Sequence, residues 1–154
     1  MSARKHLSKK FFLQSTETIA RELLGCTLHR RLKNGRVQVY RIAETEAYLG
    51  PIDPAAHSFK GETKRTKSMF QEGGIFYVYL IYGMYYCLNV VTQKKGFGEA
   101  VLIRALQPLD GSKDSSLMGP GKLCRELDID KRFDGAPCDG EELWIEKMPV
   151  KISE

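Results

Sequence analysis

The chain has 154 residues, 42% of them apolar and 28% charged, with 24 Lys and Arg against 19 Asp and Glu for a net charge of +5. That length suits one domain that buries a core without disulfide or metal staples, and the composition excludes a disordered tail or a membrane-spanning chain. The longest apolar run, 76–91, is broken by Gly83 and rich in tyrosine, which excludes a transmembrane helix.

Basic residues concentrate at 4–10, 30–36 and 60–67, and acids gather at 139–146. Such clusters solubilise any small domain, and they also permit phosphate binding. The opening MSARKHLSKKFFLQ lacks the apolar segment of a secretory signal, so the sequence reads as intracellular: cytoplasm or nucleoid in a prokaryote, nucleus in a eukaryote. Cys26, Cys87, Cys124 and Cys138 are scattered without metal-ligand spacing and read as reduced structural thiols.

In chain order, residues 16–24 carry Ile19, Ala20, Leu23 and Leu24 at helical spacing, with Gly25 as a C-terminal stop. Residues 26–32 and 37–46 read as strands joined across KNG, where Asn34 and Gly35 are expected at positive φ. Residues 51–74, rich in Gly, Pro, Lys and Thr, form a loop layer with a short helix before Gly73. Residues 75–91 have the aromatic and β-branched density of a hairpin bent at a glycine. A strand over 99–105 holds Arg104 among apolar neighbours, residues 120–127 form a short helix, and 142–147 form a last strand around the only Trp. The expected fold is therefore α+β: one domain, spanning 1–154, on a mainly antiparallel curved sheet with flanking short helices and a protruding tyrosine-rich hairpin.

The stretch AETEAYLGPIDPAAHS, residues 43–58, combines Glu44, Glu46, Tyr48 and His57. Side chains alternate across a strand, so Glu44, Glu46 and Tyr48 are expected on one face. Taken singly, each has an ordinary explanation: a solvated strand carboxylate, a loop histidine. Five of the seven tyrosines fall at 77, 79, 82, 85 and 86, where sheet packing would suffice, yet flat aromatics beside basic loops are also what nucleobases stack upon. The conjunction of acid, aromatics and histidine with a basic loop favours a site.

The runs RIAETEAYLGPIDPAAHS, MFQEGGIFYVYLIYGMYYCLNVV, VLIRALQPLDG and GPGKLCRELDID closely resemble the alkyladenine (3-methyladenine) DNA glycosylases of base-excision repair. The resemblance runs from about Phe11 to Glu146. It implies that Glu46 is the general base for the hydrolytic water, with Arg104 beside it. It implies that Tyr48, His57 and Tyr79 wall the pocket for the flipped base, that Asn89 crowds that pocket against the amino group of guanine, and that Tyr82 is the wedge entering the duplex. Thr63, Arg65, Lys122 and Lys131 are implied as DNA-backbone contacts. The partner implied is double-stranded DNA containing damaged purines, bound by a monomer with no membrane and no metal or other cofactor.

Two departures from the family pattern are visible. Between LQPLDG and GPGKL only SKDSSLM stands where relatives carry a longer basic segment, and relatives continue with further strands beyond WIEKMPV. The expected activity is that of a monofunctional glycosylase releasing alkylated or deaminated purines. The alternatives are a shortened, non-catalytic lesion-binding module and an RNA-binding or structural domain, which charge and tyrosines alone would allow. Retention of Glu46 beside the full pocket set favours the enzyme.

Overall fold

The computed structural model describes residues 4–50, 53, 55–56 and 61–148. Among them run α1 (Thr16–Leu23), β1 (Thr27–Arg31), β2 (Val37–Tyr48), β3 (Phe76–Ile81), β4 (Tyr85–Thr92), β5 (Glu99–Pro108), α2 (Pro120–Glu126) and β6 (Leu143–Glu146). The strands form one sheet in the order β3-β4-β5-β2-β1-β6, every pairing antiparallel. This is the α+β class expected. No helix among the described residues is long and apolar enough to cross a membrane.

Local chemistry sets the boundaries. Ser15 caps α1 by accepting the Thr18 amide, and the chain leaves through Gly25 at φ +91°. Between β1 and β2 only Gly35 takes positive φ, correcting the expectation for Asn34. The Gly35 amide donates to the Leu32 carbonyl and the Leu32 amide to the Arg36 carbonyl, so Asn34 occupies a turn ahead of a glycine bulge. Asn34 instead accepts the Arg36 amide through its side chain.

The sheet buries both faces. Alternate residues Phe76, Val78, Leu88, Val90, Val101 and Ile103 pack with Ile19 and Leu23 of α1 and Leu123 and Cys124 of α2 in the main core. Their in-between neighbours Tyr77, Val91 and Ala100 turn the other way and pack with Tyr48, Tyr79, Met69 and Phe70, beneath the loop layer. The period of two thus divides each strand between a greasy helix side and an aromatic loop side. The expected short helix before Gly73 is a 3-10 turn, Lys67–Phe70, whose Met69 and Phe70 close that second cluster.

Candidate active site

Four strands place one residue each in a single transverse row: Tyr77 opposite Asn89, Asn89 opposite Leu102, and Leu102 opposite Glu46. Directly paired residues share a face, so an amide, a phenol and a carboxylate converge there. On β2 the loop side also receives Tyr48, while Thr45 turns to the helices and donates to the Ala20 carbonyl. Glu44 is exposed, beside a bulge that shifts the β2–β5 register on both sides of it. That shift leaves Arg104 outside the ladder, exposed between buried Ile103 and Ala105, and free to bend toward β2.

The Glu46 carboxylate is held at both oxygens. Tyr48 donates its hydroxyl to Oε2 at 2.6 Å, and Arg104 Nη1 donates to Oε1 at 2.7 Å. The Arg104 and Glu46 side chains are 47% and 37% exposed, so the pair stands at a rim open to water. Burial pushes the Tyr48 phenol well above its usual pKa, and its hydrogen bond to Glu46 and that carboxylate's charge push it further. Tyr48 is therefore a fixed neutral donor.

Tyr48, Ala55, Met69, Tyr77, Tyr79 and Asn89 enclose about 30 Å³, room for one or two waters. The rings of Tyr77 and Tyr79 lie 5.3 Å apart. Burial raises both phenols, Tyr77 to about 12, and Tyr79 is raised further by its partner Cys87. Asn89 is buried and donates to the Tyr77 carbonyl at 3.3 Å. A larger cleft of about 500 Å³ opens among Leu7, Lys9, Phe12, Glu72, Gly74, Pro137 and Asp139. The small cavity is the better candidate, because phenols and an amide line it and one of those phenols, Tyr48, holds the Glu46 carboxylate beside it.

The hairpin between β3 and β4 carries Tyr82 at its tip, 90% exposed at φ +53°, followed by Gly83 at φ +67°. With the Met84 amide donating to the Ile81 carbonyl, this is a turn with two left-handed residues, which suits β-twist but normally takes Asn or Gly first. A tyrosine there costs about 1–2 kcal/mol.

The structure thus brings Glu46, Arg104, Tyr48, Tyr79 and Asn89 together, and sets Tyr82 three residues past Tyr79. His57 lies outside the described residues. Thr63 exchanges hydrogen bonds with Thr66 inside its own loop, and Arg65 donates to the Leu80 carbonyl at 2.5 Å with its guanidinium 5.9 Å from the Tyr79 ring centroid. Lys122 on α2 and Lys131 beyond it are exposed and do not line the cavity. Sequence reasoning missed Tyr77 and Met69 as cavity walls, although Tyr77 shares a strand face with Tyr79 by simple alternation.

A family model described as methylpurine-DNA glycosylase matches residues 10–154. The chain belongs to the methylpurine-DNA glycosylase family. A DNA glycosylase role, with DNA as the macromolecule bound, goes with that membership. The "DNA-3-methyladenine glycosylase" of Mus musculus is 46% identical over 169 residues, covering 96% of this chain and 50% of the mouse protein. The protein of the same name from Homo sapiens is 43% identical, covering 99% of this chain and 59% of its own length. A relative from Herpetosiphon aurantiacus is 46% identical over 160 residues, covering 94% of this chain and 72% of its own.

Proposed function

We propose that this methylpurine-DNA glycosylase, acting as a monomer, flips alkylated or deaminated purines out of duplex DNA and hydrolyses their N-glycosidic bond with a water activated by Glu46. The observation that carries this is the Glu46 carboxylate, held by Tyr48 at 2.6 Å and Arg104 at 2.7 Å beside a cavity walled by phenols. Extrusion of a base costs about a few kcal/mol, least for damaged or mispaired bases, and the Tyr82 ring refills the vacated stack. The walls part to admit a purine, which then lies against Tyr48 and Tyr79, with His57 joining them on the resemblance of sequence. Ring faces are negative, so they favour an electron-poor alkylated base over a normal one.

The sugar–base bond opens toward an oxocarbenium-like state, and its electron pair leaves with the base. A cationic alkylated base departs neutral; a deaminated base departs with the electron pair and takes up a proton from solvent water. Water adds to the sugar carbon and gives a proton to Glu46, whose charge also stabilises the developing cation. Arg104 holds the carboxylate in place, and Thr63, Arg65, Lys122 and Lys131 supply contacts to the backbone. No step of this hydrolysis calls for a metal or a redox group.

Incubation with duplexes containing hypoxanthine or 3-methyladenine, followed by abasic-site cleavage, tests this reading. Release by the parent, and none by Glu46→Gln with abasic-analogue binding retained, is the expected result. Binding without release by the parent would leave a lesion-binding module.

A further inference from the structure

The hairpin that carries Tyr82 outruns the sheet behind it. β4 pairs with β5 only from Asn89 to Thr92, whereas its pairing with β3 continues out to Tyr85. Residues Tyr85 to Leu88 therefore belong to a two-stranded ribbon, a form of marginal stability by itself. A wedge mounted on a ribbon that bends would yield before the base stack does.

Helix α2 meets the ribbon where it leaves the sheet. A Cβ on Gly121 would stand 2.9 Å from the Tyr85 Cβ and 3.0 Å from its Cδ1, so the ring rests on bare helix backbone that any side chain would displace. Arg125, four residues on and thus on the same helix face, sets its guanidinium 5.5 Å from the Tyr85 ring centroid. On the opposite strand, Leu80 has its carbonyl held by Arg65. The strands are thus gripped from both sides within a few residues of the tip, although Tyr82 itself is strained and Met84 is 71% exposed.

We infer that Gly121 and Arg125 are positioning residues for insertion: seating Tyr85 between bare helix backbone and a guanidinium makes α2 the abutment that keeps the Tyr82 wedge from bending away. This rests on Tyr82 acting as the wedge. Neither residue touches the cavity or Glu46, so both act only where the duplex must be opened. The Gly-Pro-Gly run ahead of Lys122 thereby acquires a reason besides starting a helix: its second glycine is a seat.

The test compares Gly121→Ala, Arg125→Met and Tyr82→Ser with the parent. Single-turnover release of hypoxanthine or 3-methyladenine, whichever the parent releases faster, is measured at saturating protein from duplex and from the same oligonucleotide single-stranded. Neighbour unstacking is followed in parallel by 2-aminopurine fluorescence. A displaced wedge should lower duplex release about tenfold to a hundredfold and leave single-strand release within about twofold, with a smaller fluorescence rise. Arg125→Met, at an exposed position, carries the test if Gly121→Ala fails to fold. Losses equal on both substrates, or a parental duplex-to-single-strand ratio in Arg125→Met while Tyr82→Ser shifts it, would overturn the inference. If Tyr82→Ser leaves the ratio unchanged, the wedge reading fails first and the abutment has nothing to hold.

Discussion

Arg104 reaches Glu46 across the β5–β2 boundary, with Nη1 2.7 Å from Oε1, because the register shift beside Glu44 leaves the arginine outside the ladder. The two act as one unit. Glu46→Gln should lower the single-turnover rate about 100- to 10,000-fold, the contribution of a general base. Arg104→Gln should cost less, and the double variant should be no slower than Glu46→Gln alone, because residues serving one step are not additive. Stability should hardly move, since a half-exposed ion pair contributes about 0–1 kcal/mol after solvent screening. Multiplicative rate losses would show that Arg104 works independently of the carboxylate.

The alternation in ETEAY made the Glu46 and Tyr48 face legible, since a strand period needs only local sequence. The register shift beside Glu44, which leaves Arg104 outside the ladder, was not legible, because a bulge is a mismatch between two strands and its signal lies in neither alone. The KNG turn was placed correctly but Asn34 was misread: a three-residue loop with a glycine bulge asks for positive φ once, and glycine takes it. The hairpin bend was marked by Gly83, yet nothing local announced that Tyr82 also sits at positive φ. The seat of Tyr85 on Gly121 joins residues far apart in the chain, and only the packing of α2 on β4 creates it.

Asn89 is both a cavity wall and a backbone partner, which makes Asn89→Gly informative. Removing the side chain opens space in the cavity and deletes its hydrogen bond to the Tyr77 carbonyl, at a stability cost of about 0.5–1.5 kcal/mol. If bulk at this position excludes the guanine amino group, release of 7-methylguanine should rise relative to hypoxanthine, even as total activity falls. An unchanged ratio would reduce Asn89 to a strand fastener.

On the far edge of the sheet, His29 stacks on Trp144 with ring centroids 5.0 Å apart and sets Nε2 3.2 Å from Glu146. Burial lowers the His29 pKa from 6.5; the Glu146 charge pushes it back up and Arg4 pushes it down, for a net decrease. The folded chain therefore binds the proton more weakly than the unfolded chain. That contribution to stability is fully present above the unfolded pKa and is lost as pH falls through the folded one. The Glu146 pKa is also lowered: burial raises it, but hydrogen bonds from Trp144 and the Lys5 amide and the charge of His29 outweigh that, so the loss continues at lower pH. Thermal melts from about pH 7.5 to about pH 5 should fall more steeply for the parent than for His29→Gln, which has no proton to gain. Parallel slopes would remove His29 from the acid response.

At Tyr82 the proposed role in the duplex is set against stability. Its backbone is left-handed at φ +53° and its side chain is 90% exposed, so it bears the steric cost of that conformation while burying almost nothing. Asparagine tolerates the same backbone at lower cost. Tyr82→Asn should therefore stabilise the fold by about 0.5–1 kcal/mol, a rise in melting temperature of about 1–4 °C for a chain of this size. If the Tyr82 ring refills the stack as proposed, the same change should lower release from duplex while release from single strands holds. Backbone strain of this kind clusters at functional sites, which is the reason to test the ring at this hairpin tip. Tyr82→Gly gives the second reading, with still less strain and no side chain. If both variants melt at or below the parent, the turn is not strained. If both melt higher and still open the duplex as the parent does, Tyr82 is an exposed aromatic with no part in flipping.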